Sequence, residues 1–211
     1  PYVNNITNDG MYKRVKGISE LNFCWYHYLA DDRLLDPSPT NIIDFYILTR
    51  GYYTNLQSWL SGLTAKPVPP TSFELRNAYR NILERKMISD TVVMRPANIK
   101  LVFGNKADPQ LRAKFKFVKS DFAKLSSDQI KLKAVEIIKE FFDINQWEFG
   151  QTLYTTELIS VLHAKLADSV NSVVLVPDAA NSYFGDLLVI NSEVAEIIMP
   201  DISINEITIV S

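Results

Sequence analysis

The residues able to do chemistry in this 211-residue chain are few: two histidines, one cysteine and some clustered carboxylates. His27 and His163 do not stand in H-E-x-x-H spacing, and a lone Cys24 cannot supply the thiolate pair of a zinc site. Cys24 with either histidine could act as thiol nucleophile and base. Its place inside Leu21-Asn-Phe-Cys-Trp-Tyr-His-Tyr28, however, favours an inert buried thiol. His163 lies beside the apolar face of a helical pattern and reads as a hydrogen-bonded, partly buried side chain. Asp31, Asp32 and Asp36 offer oxygen ligands for a hard cation but lack EF-hand spacing, so a solvated turn is the better reading. The seven glycines form no phosphate-cradling G-x-G-x-x-G or G-x-x-x-x-G-K-[ST] loop, and no G-x-S-x-G elbow is present. Glu157 and Asp186 could become an acid and base only if folding brings them together. No catalytic residue, metal ligand or cofactor site is assigned, and the expectation is that the chain is not an enzyme.

Recognition chemistry is better represented. Between Lys100 and Lys133 stand nine Lys or Arg against three Asp, whereas from Glu140 to Ser211 eleven Asp or Glu face the single Lys165. Either the two blocks neutralise each other within one chain, or the basic segment of one copy meets the acidic end of another and steers assembly. Lys114, Lys116 and Lys119 alternate with Phe115, Phe117 and Val118, so they should face water and are candidate interface residues. Aromatics make up 11% of the chain, more than a small core must absorb. Some of Tyr52, Tyr53 and Trp59 are therefore candidates for a protein–protein surface, although for each residue alone filling the first unit's core is the better reading.

These residues must be positioned by elements whose signals are clear. The chain is 47% hydrophobic and 22% charged, which suits a soluble globular protein with one or two cores. A net charge of -2 argues against general nucleic-acid binding. No apolar run approaches membrane-spanning length, and Pro1-Tyr-Val-Asn-Asn5 is too polar for a signal peptide. The start at Pro1 rather than Met fits either processing or a fragment of a longer chain, and the fragment is the expectation. Asn5-Ile-Thr7 is a glycosylation sequon, relevant only in a secreted protein.

The organising stretch runs from Ser126 to Val176. Ile130, Ala134, Ile137, Ile138 and Phe141 share one helix face, and Ser126 with Gln129 has capping-box spacing. The corner Asn145-Gln-Trp-Glu-Phe-Gly150 suggests a turn pinned by buried rings. A second helix from about Thr155 carries Glu157 in its first turn and Leu158, Val161, Leu162 and Leu166 on its apolar face. Val170 to Val176 is then a strand.

Elsewhere, Leu21 to Tyr28 and Ile42 to Leu48 read as strands, and Tyr52 to Leu60 as a helix ending at Gly62. Pro67-Val-Pro-Pro70 forms a stiff linker. A helix capped by Thr71 or Ser72 should follow it, with Phe73, Leu75, Ala78, Tyr79, Ile82 and Leu83 facing inward. Val92 to Met94, Asn98 to Phe103 and Lys114 to Lys119 are strands. Leu187 to Ile190 and Val194 to Ile198 flank Asn191-Ser-Glu193 as a hairpin, and the tail shifts phase near Asn205-Glu206, where a bulge or bend is expected. The fold class is α+β, in two small units spanning 1–88 and 89–211, the second with two helices packed on a mixed sheet.

From Asn98 to Met199 the order of elements resembles the baseplate J-like family, the wedge proteins of contractile phage tails and related injection machines. Phe149-Gly-Gln-Thr-Leu153, then Thr155-Thr-Glu-Leu-Ile159, then the valine strand after the second helix carry the resemblance. Pro69-Pro-Thr-Ser-Phe-Glu74 before a helix extends it upstream, so that it covers roughly residues 40 to 199. The segment Ala107 to Leu125 is longer than the family's strand-to-helix connection, and the first 40 residues match nothing in it. The resemblance implies a structural subunit of the virion tail baseplate, assembled in the host cytoplasm. It would pair with itself as a dimer or ring and with other baseplate wedge proteins. It implies no catalytic residue and no cofactor, and the net charge and short apolar runs add the expectation of no nucleic-acid partner and no membrane insertion. A small binding module using the basic segment 100–133, or an enzyme without a recognisable motif, are the alternatives.

Overall fold

The protein, described by a computed structural model for residues 11–12, 21–27, 42–80, 91–178 and 184–210, is a mixed α+β fold divided into two compact units, Pro1–Asn98 and Ile99–Ser211. Asn5, Asp31, Asp32, Asp36, Ile82 and Leu83, and the side chains of Cys24, His27 and Asp186, lie outside the described residues.

In the first unit β1 (Met11–Tyr12), β2 (Leu21–His27), β3 (Ile42–Thr49) and β4 (Thr91–Pro96) form one sheet in the order β1-β2-β3-β4. The first two pairings are antiparallel and β3–β4 is parallel, with Phe45 opposite Met94. A parallel neighbour needs a crossover, and the helices between β3 and β4 belong to it. Thr49 starts α1 (Arg50–Leu60) by accepting the Tyr52 N–H at 3.2 Å. The helix stops where Gly62 takes φ 76°, a conformation glycine adopts without a Cβ penalty. Thr71 and Glu74 form a reciprocal capping box for α2 (Ser72–Ala78). Two expectations need correction. The unit boundary falls ten residues later than 88/89, because β4 pairs with β3, a long-range pairing that no local pattern announces. Phe73 and Ala78 point outward and Leu75 alone is buried in α2, since so short a helix presents little more than one residue to β4.

The second unit is organised by its helices. The Ser126–Gln129 capping box starts α3 (Ser127–Phe141), which buries Ile130, Ala134, Ile137 and Ile138. The corner follows with Trp147 and Phe149 buried and Gly150 at φ 66°, and α4 (Thr155–Leu166) then buries Leu158, Leu162 and Leu166. Both helices cover a three-stranded mixed sheet of β11 (Ile207–Val210), β6 (Ala113–Lys119) and β8 (Val170–Pro177) in the order β11-β6-β8. β11 runs parallel and β8 antiparallel to β6, so that Ile207, Phe115 and Leu175 align across the inner face. Two-residue strands β7 (Leu153–Tyr154) and β9 (Val189–Ile190) pair antiparallel, and β10 (Glu196–Pro200) pairs with β5 (Asn98–Val102).

The expected hairpin across Asn191-Ser-Glu193 is therefore not formed. Leu187 and Leu188 end a short helix, α5 (Phe184–Leu188), and the strands on either side of the turn choose different partners. Leu187 is buried at the end of this helix, and Ile190 is buried by pairing with Leu153 of β7 rather than across the turn. The phase shift near Asn205 is a 3-10 turn, Ile204–Glu206, closed by Ser203 and Glu206.

One backbone junction is tight. Asp201 donates its N–H to the Val102 carbonyl at 2.9 Å, and its carboxylate accepts the Lys106 N–H at 2.8 Å. A Cβ on Gly104 would overlap the Asp201 carbonyl oxygen, which is backbone and cannot swing aside. Gly104→Ala should therefore destabilise the second unit by about 1–3 kcal/mol, the usual cost of overpacking, read as a lower denaturant midpoint. Leu162→Asp should unfold the unit outright. Leu162 is fully buried, and an unpaired buried carboxylate costs several kcal/mol against a total stability of about 5–15 kcal/mol. A soluble Leu162→Asp protein with native near-ultraviolet circular dichroism would contradict this packing.

Candidate interaction site

The sequence-derived interface residues lie on two different units. On α1, Tyr52, Tyr53 and Trp59 are half-buried, and burial pushes the Tyr52 hydroxyl above its ordinary value. Lys66 reaches back over the Trp59 ring with its Nζ 5.5 Å from the ring centre. What sequence reasoning missed is the stretch after them. Leu63, Val68 and Phe73 are 79%, 85% and 72% exposed, along a segment fixed at both ends by the α1 terminus and the α2 capping box. Three prolines within 67–70 make the intervening backbone stiff. The available signal was the odd placement of Phe73 in the first turn of a helix too short to bury a full face.

On β6, Ala113, Phe115 and Phe117 face the helices while Lys114 and Lys116 face solvent, as the alternation requires. Lys119 is only half-exposed, at a register shift between Val118 and Lys119 where β6 leaves its regular pairing. Lys114 is not free: its Nζ lies 2.7 Å from Asp178, and that hydrogen bond, followed by the carboxylate's charge, raises the ammonium's pKa. The same pattern recurs across the unit. Lys100 meets Glu196 at 2.8 Å, Lys106 lies 3.9 Å from Asp201, and Lys124 meets Asp168 at 2.7 Å, lowering the Asp168 carboxyl. Much of the charge segregation along the chain is thus neutralised inside the unit. Among the described residues Lys116, Lys119, Lys131 and Lys133 have no ion pair. Phe122, 91% exposed, sits in the turn after β6.

A third surface was not anticipated. A cavity of about 320 Å³ opens where α3, the corner and α4 meet, with Phe141 and Trp147 as aromatic walls and Gln146, Gln151, Glu157 and the Glu140–Lys165 pair around them. Lys165 donates to Glu140 at 2.6 Å, and Gln151 accepts the Glu148 N–H at 2.9 Å. Of the acid–base pair considered from sequence, Glu157 lines this cavity, and the Asp186 side chain lies outside the described residues. His163 is exposed rather than partly buried, and its Nε2 lies 3.1 Å from the Asn171 carbonyl oxygen. It projects from the solvent side of α4, adjacent to rather than within the apolar stripe. No group of three or more metal-ligating side chains occurs among the described residues, and no described helix is long and apolar enough to cross a membrane.

No protein-family model matches the chain, and no curated protein matches it.

Lys114 and Lys116 should respond differently to charge reversal. Lys114→Glu sets a carboxylate beside Asp178 and should lower the melting temperature, whereas Lys116→Glu should leave it unchanged. Equal melting temperatures for both variants would mean that the Lys114–Asp178 pair does not hold in solution.

Proposed function

We propose that this chain is a structural subunit of a contractile phage tail baseplate, a wedge protein that associates with itself and with other wedge proteins around the tail hub. Its place would be the virion tail, after assembly in the host cytoplasm, and the reading assigns it no reaction and no cofactor. The observation that carries it is the ordered arm with Leu63, Val68 and Phe73 held out to solvent. A fold gains nothing from large apolar side chains fixed outside its core, while an assembly gains a contact whose ordering cost is already met by proline and by two helix ends. Support also comes from the order of elements that resembles the baseplate J-like family. The capping-box helix, Phe149–Gly150 corner, second helix and valine strand occur in that order in the second unit. The alternative of a binding module built on the basic segment 100–133 is weakened by the internal pairing of Lys100, Lys106, Lys114 and Lys124.

Sedimentation velocity over a concentration series tests the reading. The parent should shift to larger species as concentration rises, and Val68→Ser with Phe73→Ser should shift the association to higher concentration without changing the melting temperature. A parent that sediments as a monomer throughout, alone and with the other wedge proteins of the same tail, would overturn it.

A further inference from the structure

The cavity between α3, the corner and α4 has a composition that selects a ligand. At about 320 Å³ it lies at the small end of the roughly 300–1,000 Å³ that ligand pockets occupy, enough for a side chain rather than a large cofactor. Phe141 and Trp147 line it, with ring centroids 5.6 Å apart at 46°, and the half-buried Phe141 supplies more of the aromatic surface than Trp147, which is buried to 5% exposure. Such faces favour a cation or a flat group. Its charge is unbalanced. Glu140 is satisfied by Lys165 at 2.6 Å, which leaves Glu157 without an ion pair among the described residues. Glu157 stands in the first turn of α4, where the helix terminus contributes only about half a positive charge, so a net negative potential remains. Gln146 adds an amide oxygen that no described side chain or backbone group occupies.

We infer that this cavity is a receptor for an arginine side chain presented by a partner protein, the guanidinium lying against Trp147 and Phe141 and donating to Glu157. Arginine fits better than lysine because a planar guanidinium can stack on an aromatic wall and donate to a carboxylate and an amide oxygen together. Anionic ligands are disfavoured by the carboxylates, and a purely apolar side chain would leave Glu157 desolvated without a partner. The inference adds a defined contact to the proposed assembly role. Its failure is separable from that of the wedge reading, because it can be tested on the single chain without assembly.

The test is a titration of the 211-residue chain, labelled with nitrogen-15, with N-acetyl-arginine amide at fixed ionic strength, following the Trp147 indole signal and the amides around Glu157. Trp147→Phe assigns the indole signal among the three tryptophans. Saturable shifts are expected with the arginine compound. The uncharged isostere N-acetyl-citrulline amide should produce shifts at least several-fold weaker, and the arginine response should fall about tenfold in affinity in Glu157→Gln. Glu157 is exposed in the free protein, so this variant keeps the fold, which unchanged signals from the buried core will verify. Non-saturating shifts, equal responses to arginine and citrulline, or an undiminished response in Glu157→Gln would each overturn the assignment.

Discussion

A run of aromatic contacts ties the second unit together. Phe115 on β6 meets Phe103 edge-on at 5.0 Å, Phe103 meets Phe142 at 6.3 Å, and Phe142 and Phe141 both reach Trp147, at 5.0 and 5.6 Å. The sheet, the C-terminus of α3 and the corner are thereby one packed object. Phe103 pays for its place with φ 78°, a left-handed conformation that costs an L-residue roughly 1–2 kcal/mol. Losing a buried phenylalanine side chain costs about 3–5 kcal/mol, so burial outweighs the strain. The distortion is held by backbone hydrogen bonds on both sides, from the Phe103 N–H to the Leu111 carbonyl and from the Ala113 N–H to the Phe103 carbonyl, each under 3.0 Å. From there the tight approach of Gly104 to Asp201 follows, since the chain must leave Phe103 beside β10.

Charge is arranged on top of this framework and depends on it. The pairs Lys124–Asp168 and Lys165–Glu140 are largely exposed and join residues far apart in sequence at the ends of packed elements. Exposed pairs contribute little to stability, so their effect is to set which charges remain free. In the first unit the situation differs. Asp44 is buried in β3 and accepts from Arg95 Nε at 3.0 Å across the parallel β3–β4 pairing. Removing one partner of such a pair strands a buried charge, which ties the register of β4 to that of β3.

Legibility from sequence followed the range of the interaction that decides each feature. The helix start at Ser126 was readable, and the start after the prolines was narrowed to Thr71 or Ser72, because a cap is decided within four residues. The alternation in β6 and the buried faces of α3 and α4 were readable because one apolar period fixes them. The pairing of β4 with β3 and the separation of β9 from β10 were not, because each rests on partners at least thirty residues away along the chain. The tyrosines, the tryptophan and the lysines of the expected interface could be named but not sorted into free and engaged. Lys114 looks like Lys116 until Asp178, from beyond the end of β8, is placed beside it. The cavity was illegible for the same reason: Phe141, Trp147, Glu157 and Lys165 each have an ordinary local explanation.

Exposure and order coincide in this protein where they ordinarily exclude each other. A large apolar residue held in water is usually tolerated on a segment free to rearrange, yet Val68 sits between a closed α1 terminus and the α2 capping box, and Phe73 within that box, whose hydrogen bonds from Thr71 lower the Glu74 carboxyl pKa. Fixing a backbone residue costs about 1–2 kcal/mol of conformational entropy, and proline reduces that cost by restricting the unfolded chain as well. The arm can therefore stay ordered without burying its own side chains. The second unit shows the complementary case, because the aromatic cluster that stabilises it also contributes Phe141 and Trp147 to the lining of the cavity. In the first unit order comes from local caps and prolines, and in the second from packing. In both, the groups left at the surface or lining the cavity are those the local stabilising interaction does not consume.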